Sequence, residues 1–283
     1  MTYRIQKIAD VGTKHPVIAR LILQTIAILE ASTLNDEERK KVAGIAMELQ
    51  SSLVECFQIR EGIVADLEAA IASMRPDADN RVIHFDIIIR LNQKAENFLY
   101  QAKNFLRETH QIWAYFDGAT FKDASEYVSW KEAKTPEFLT WAAKTYGEAD
   151  NRYRLIADNQ DILKRTIRLR NAVEHPGGNS GTLHIHNVYL NADNEMVGPS
   201  WNLDNDAPEL MLPEMDTFCD HLLGIAEDMF AQNLIPRLPP LLGIFEIPPE
   251  KRDPEEPRRL AVGIKPEWTE KMRAAKDARE AKD

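Results

Sequence analysis

Arg170, Asn171 and His175 close an amphipathic helical segment, and they are the side chains whose types and spacing could do chemistry. Arg170 lies seven residues after Leu163 and fourteen after Ile156, nearly on their line along a helix surface. A guanidinium stays charged near neutral pH, so on a line facing a core or a partner it demands a carboxylate, a carbonyl or a phosphate. His175 follows five residues on, about 140° around an ideal helix. The two side chains therefore share no face while the helix continues. Pro176-Gly177-Gly178 ends it at this point and frees His175 to turn toward Arg170. A twofold dimer in which two copies of the motif meet would also join them. A helix C-terminus favours imidazolium, which suits His175 to proton transfer. Fixed charge from arginine and a mobile proton from histidine together support chemistry that needs no metal.

Other residues gather near this point. Arg165 and Arg168 precede Arg170 on the final turns, and His184 and His186 alternate on a predicted strand, so that both point to one face. With His175 they would supply three imidazoles for zinc, but no carboxylate sits at ligand spacing; a solvated polar side of a hairpin explains the pair more simply. His84, His110 and His221 are isolated and read as hydrogen-bonded, half-buried helix residues. The pairs Glu37-Glu38 and Glu255-Glu256 read as solvated. No GxGxxG, GxxxxGK[ST] or nucleophile elbow occurs, which sets aside a P-loop ATPase, a kinase and a serine hydrolase. Neither a cofactor nor a metal is called for.

Arg170-Asn171-Ala172-Val173-Glu174-His175 resembles the Arg-x4–6-His signature of the HEPN superfamily (higher eukaryotes and prokaryotes nucleotide-binding domains), in which a polar residue such as Asn follows the arginine. Arg168 to His175 satisfies the longer spacing too. The resemblance implies a metal-independent endoribonuclease: a 2′-hydroxyl attacks the adjacent phosphodiester and leaves a cyclic phosphate. Members of this kind serve in toxin–antitoxin modules and anti-phage defence. Carried over by residue, Arg170 would bind the scissile phosphate, His175 would move a proton and Asn171 would orient one of them. Arg168, His184 and His186 would flank the RNA. The implied partners are single-stranded RNA, a second copy in a homodimer, and an antitoxin or regulatory protein. The chain departs from a minimal HEPN domain in its N-terminal helical segment, the hairpin directly after the motif and its Pro-rich tail. A different reading stays open, in which Arg170 pairs with a buried acid and His175 caps the helix end of a non-catalytic module binding RNA, nucleotide or protein.

The elements that must hold these residues are mainly helical. Of 283 residues, 44% are hydrophobic and 28% charged, an ordinary globular balance. The pattern predicts a mainly α chain of long helices with an inserted β-hairpin and a Pro-rich C-terminal arm, and the resemblance implies that the helices form an antiparallel, HEPN-like bundle. A helix is expected over Pro16 to Leu29. Asn35 and Glu38 form a capping box before a stripe from Val42 through Leu49, Leu53, Phe57 and Ile63 to Met74. A second long helix is expected from about Asn80 to Asp117, with Ile88, Leu91, Phe98, Phe105 and Trp113 on its apolar face. Residues 119–147 read as short helices and a loop rich in aromatics. A third helix is expected over 148–174, then a hairpin from Thr182–Leu190 and Met196–Leu203 around the Asn191 turn, then a helix over 208–233. Gly243–Ile247 and Leu260–Ile264 are expected to pair within the arm, and Lys271–Asp283 to fray. The domain reading is one helical domain over 1–236 (segment 1–76, core 77–178, hairpin 179–205, closing helix 206–236) followed by the arm, 237–283.

The net charge of −10 argues against broad adhesion to duplex DNA or anionic lipid, yet leaves room for a small basic cleft. Cys56 and Cys219 stand alone in apolar stretches and read as small hydrophobes. No membrane-length apolar run and no secretory h-region over Met1–Lys7 is visible, so the sequence reads as cytoplasmic.

Overall fold

The computed structural model describes residues 11–76, 83–131 and 134–271. It is mainly helical, with small antiparallel sheets. The helices are α1 (Gln24–Ala31), α2 (Asp36–Ala72), α3 (Leu91–Asp117), α4 (Glu137–Tyr146), α5 (Asn151–Asp158), α6 (Gln160–Glu174) and α7 (Met211–Leu234). A π-helical stretch, Val17–Leu23, leads directly into α1. Among the described residues no helix is long and apolar enough to cross a membrane.

Local chemistry explains several element ends. Asn35 Oδ1 accepts from the backbone of Glu37 and Glu38, both at 3.0 Å, while Glu38 returns a bond to Asn35 N at 2.8 Å. That is the capping box expected from the sequence. The second helix begins later than its apolar pattern suggests. The expected start at Asn80 lies outside the described residues, and Ile83–His84 (β2) pairs with Arg75–Pro76 (β1) instead of coiling. Ile88 is tied outside the helix by Asn187, whose Oδ1 accepts from Ile88 N at 3.0 Å and whose Nδ2 donates to Ile88 O at 2.8 Å. Arg90 then turns with φ 57° before α3 starts. The single helix expected over 148–174 is two. Asn159, at φ −101° and ψ 13°, separates α5 from α6, and its side chain donates to Leu155 O at 2.7 Å.

The hairpin after the motif is present and more elaborate than two strands. Leu183–His186 (β3) pairs with Ser200–Leu203 (β6), which also pairs with Glu209–Leu210 (β7). Tyr189–Leu190 (β4) and Met196–Val197 (β5) close the tip. In the Pro-rich C-terminal segment, Leu242–Glu246 (β8) pairs with Leu260–Ile264 (β9), as the alternation suggests. Residues 272–283, most of the segment expected to fray, lie outside the described residues, as does Met1–Lys7.

The chain divides into two compact units. The first comprises 1–50, 111–118 and 226–283; the second comprises 51–110 and 119–225. The first buries Val17, Leu21, Ile28, Leu49, Trp113 and Phe230. There Gln24 fastens β9 to α1, its Oε1 accepting from Arg259 N at 2.8 Å and Leu260 N at 2.6 Å. The second unit buries Phe98, Phe105, Tyr127, Phe138, Leu163, Ile167 and Trp201, and it contains the whole Arg–His motif.

Candidate functional site

The apolar positions of α6, Leu163, Ile167 and Leu169, are buried and seat the helix in the second unit. Arg165 fixes it from a different side: Nε donates to Glu214 Oε1 at 2.6 Å, and the guanidinium also reaches Glu209 at 3.0 Å. Glu214 in turn accepts from the indole Nε1 of buried Trp201. Arg165 is therefore occupied by structural carboxylates. Arg168 is exposed.

Arg170 points elsewhere. Its side chain is 15% exposed and forms an ion pair with Glu174, one turn along the same helix. Its guanidinium lies 5.7 Å from the centroid of the Tyr100 ring on α3. Burial holds its pKa below the usual arginine value; Tyr100 and Asp123 oppose this, and Arg107 adds to it. His175 has left the helix, with φ −131° and ψ 67°, although its N–H still donates to Asn171 O. Its side chain is 72% exposed, with Nε2 at 3.5 Å from Glu174 Oε2. Beyond the helix end, the group nearest the imidazole is the carboxylate of its neighbour Glu174. Arg170 and His175 are thus joined through one shared anion.

The turn beyond the motif is tightly specified. Gly178 N donates to His175 O at 2.9 Å, and Gly177 N to Gly181 O at 3.2 Å. Gly177 and Gly181 both have positive φ, 75° and 83°. A Cβ at Gly181 would overlap the Asp204 carboxylate, which accepts from Thr182 N at 2.8 Å. These constraints fix the path from His175 into β3.

Asn171 faces α3, where Lys103 Nζ donates to its Oδ1 at 3.0 Å. Lys103 has its pKa lowered, first by burial and then by Arg170 and Arg107, against the pull of Asp123. Asp123 caps a 3-10 turn, Ala124–Tyr127, by accepting from Ser125 N at 2.8 Å. Burial pushes its carboxyl up, but the Ser125 bonds, Lys103 and Arg107 outweigh it and bring the pKa below the ordinary value. Lys103 and Arg107 of α3 and Arg170 of α6 thus feel one another's charge, and the Asp123 carboxylate offsets it in part.

Beside Arg170 opens a groove of about 270 Å³ lined by Glu96, Asn97, Tyr100, Arg170, Val173 and Glu174. Tyr100, Lys103, Arg107 and Glu174 are the residues that the motif alone did not single out. Tyr100, Lys103 and Arg107 follow i, i+3, i+7 spacing on α3, and Glu174 stands at i+4 from Arg170. Both patterns place side chains on one helix face.

His184 and His186 do share an exposed face of β3. His186 Nε2 donates to Asn202 Oδ1 at 2.6 Å across the ladder. No hydrogen bond or ion pair among the described residues joins either histidine to Arg170 or His175. Nor do His175, His184 and His186 assemble as a metal-holding group among the described residues. No family model, no curated protein and no solved structure matches the chain.

Proposed function

We propose that this protein is a HEPN-like, metal-independent endoribonuclease acting on single-stranded RNA, of the toxin–antitoxin or anti-phage defence kind. Arg170, with Lys103 and Arg107, binds the phosphodiester; His175 transfers the proton; Asn171 keeps Lys103 in place. The observation that carries the reading is the placing of the largely buried Arg170 along the groove, with Lys103 held next to it on Asn171. Burial lowers the proton affinity of both Lys103 and Arg170, so each gains from a bound anion, and phosphate is an anion that a guanidinium binds in bidentate fashion. In cleavage, the 2′-hydroxyl gives its proton to His175 as its oxygen bonds to phosphorus, the phosphorane charge grows beside Arg170, and the bond to the 5′-oxygen breaks as that oxygen takes the proton back. His175 is exposed and stands beside Glu174, which lines the groove, and this supports its role as the group that carries the proton. The functional unit in this reading is a homodimer in which two motifs share a cleft, regulated by an antitoxin-like partner.

The Arg170–Glu174 pair favours one other reading, a non-catalytic RNA- or nucleotide-binding module whose anion site is partly filled by its own carboxylate. Incubating labelled RNA with the wild type, Arg170→Ala and His175→Ala in EDTA separates the two. The enzyme reading expects a 2′,3′-cyclic phosphate product from the wild type, cleavage lost in both variants, and RNA binding retained by His175→Ala. No cleavage by the wild type, combined with Arg170-dependent binding, would establish the module instead.

A further inference from the structure

One face of α3 changes character along its length. Glu96 and Asn97 are exposed, Tyr100 is 48% exposed, and Lys103 and Arg107 follow on the same side. Glu96 and Lys103 are separated by about 10 Å of helix axis. The acceptor-rich end and the aromatic ring line the groove, and the cationic end adjoins Arg170 and Asn171. This order matches the polarity of a nucleotide, with a base at one end and a phosphate at the other. We propose that Glu96, Asn97 and Tyr100 form a nucleobase subsite that favours guanine; the inference rests on the reading of Arg170 as the phosphate ligand.

The chemistry of each group selects the ligand. A volume of about 270 Å³ accommodates a single base and little more. Tyr100 offers a half-exposed ring on which a base can stack, a contact indifferent to base identity. Glu96 supplies identity. An ionised carboxylate only accepts hydrogen bonds, and guanine presents two adjacent donors, N1–H and the N2 amino group. Adenine and cytosine set a ring-nitrogen acceptor beside their amino group, and uracil sets carbonyls on both sides of one N–H; each would turn a lone pair toward the carboxylate. The Asn97 amide adds a donor for guanine O6. The same carboxylate repels phosphate, which keeps the backbone at the Arg170 end and sets the direction of the strand.

The test is calorimetric titration of the full-length protein with the four nucleoside 5′-monophosphates and with guanosine. The guanine nucleotide is expected to bind about tenfold tighter than the other three. Glu96→Gln, at an exposed position that folding does not need, should remove that preference while leaving the others unchanged. Tyr100→Leu should weaken all four, and Arg170→Ala should weaken the four nucleotides but not guanosine. Equal affinities in the wild type, no binding of any of them, or a guanine preference that survives Glu96→Gln would overturn the subsite. Insensitivity of the nucleotides to Arg170→Ala would instead remove the phosphate reading, and guanosine would still report on the base.

Discussion

Glu174 forms an ion pair with Arg170 one turn away, so the carboxylate inside the motif rests on the cation that the motif would offer a phosphate. The same carboxylate stands 3.5 Å from His175 Nε2. An anion arriving at Arg170 must displace or neighbour Glu174, and like charges at that range repel. Removing the charge with Glu174→Gln is therefore expected to tighten RNA binding severalfold, measured by fluorescence anisotropy. If the carboxylate also orients the imidazole, the same variant should cleave more slowly despite binding better. Unchanged or weaker binding would show that Glu174 does not compete for the anion site.

Lys103 and Arg107 make a second, independent prediction through salt. For a single strand, every phosphate that the protein neutralises adds about 0.7 to the steepness of log K against log salt. Lys103→Met and Arg107→Met should each reduce the slope by about that amount, and Arg168→Met, an exposed cation on another face of α6, should not. A slope that changes with Arg168 and not with Lys103 would move the RNA path off the α3–α6 groove.

Much of this arrangement is legible in the sequence, and the illegible part has a physical cause. The apolar stripe of α3 is buried at Phe98, Phe105 and Trp113, as its period requires. The strand alternation that exposes His184 and His186 and the β8–β9 pairing also follow from pattern. Ile87-Ile88-Ile89 defeats periodicity, because a short apolar run reads equally well as helix; Asn187, distant in sequence, binds both backbone groups of Ile88 outside the helix. The break at Asn159 is likewise invisible, since apolar spacing runs through it. In the site, the Arg170–Glu174 pair is readable as an i, i+4 contact. The meeting of Lys103 with Asn171 is not, because it depends on which face of α3 packs toward α6.

His110 gives the second unit a pH response. The ring is 3% exposed and stacks on Tyr127 at 4.2 Å between centroids, and its Nε2–H donates to Asp123 O at 3.0 Å. Burial outweighs the pull of Asp123 and Glu126 and sets its pKa below the ordinary 6.5. Above 6.5 the imidazole is neutral whether the chain is folded or not, and it contributes no slope. Below 6.5 the unfolded chain takes up a proton that the folded one refuses, so stability falls as pH drops toward the depressed value. His110→Phe should keep the stacking and flatten this dependence. Urea melts at pH 7.5 and 5.5, taken as roughly one unit either side of the ordinary histidine value, should show a smaller loss in the variant. An identical loss in both proteins would assign the response to other groups.

Glu227 is the keystone of the first unit, and its removal should be severe. Its side chain is 0% exposed and accepts from Arg20 Nε at 3.0 Å, Gln24 Nε2 at 3.0 Å and Arg259 Nε at 3.1 Å. Arg20 and Arg259 are themselves largely buried, at 16% and 18% exposure. Two guanidinium groups around one buried carboxylate are tolerable only while it is ionised and fully hydrogen-bonded, and here Asp228 supports Arg259 as well. Glu227→Ala strands the buried Arg20, leaves Arg259 with Asp228 alone, and should destabilise the first unit by about 3–5 kcal/mol. Glu227→Gln keeps the shape and some hydrogen bonds and should cost less. Arg20→Met combined with Glu227→Met removes a cation together with the anion and replaces both with apolar volume, so it should be milder than Glu227→Ala alone. Thermal melts that rank the double variant below the single one would show that packing around Glu227, and not unpaired charge, governs the stability of this unit.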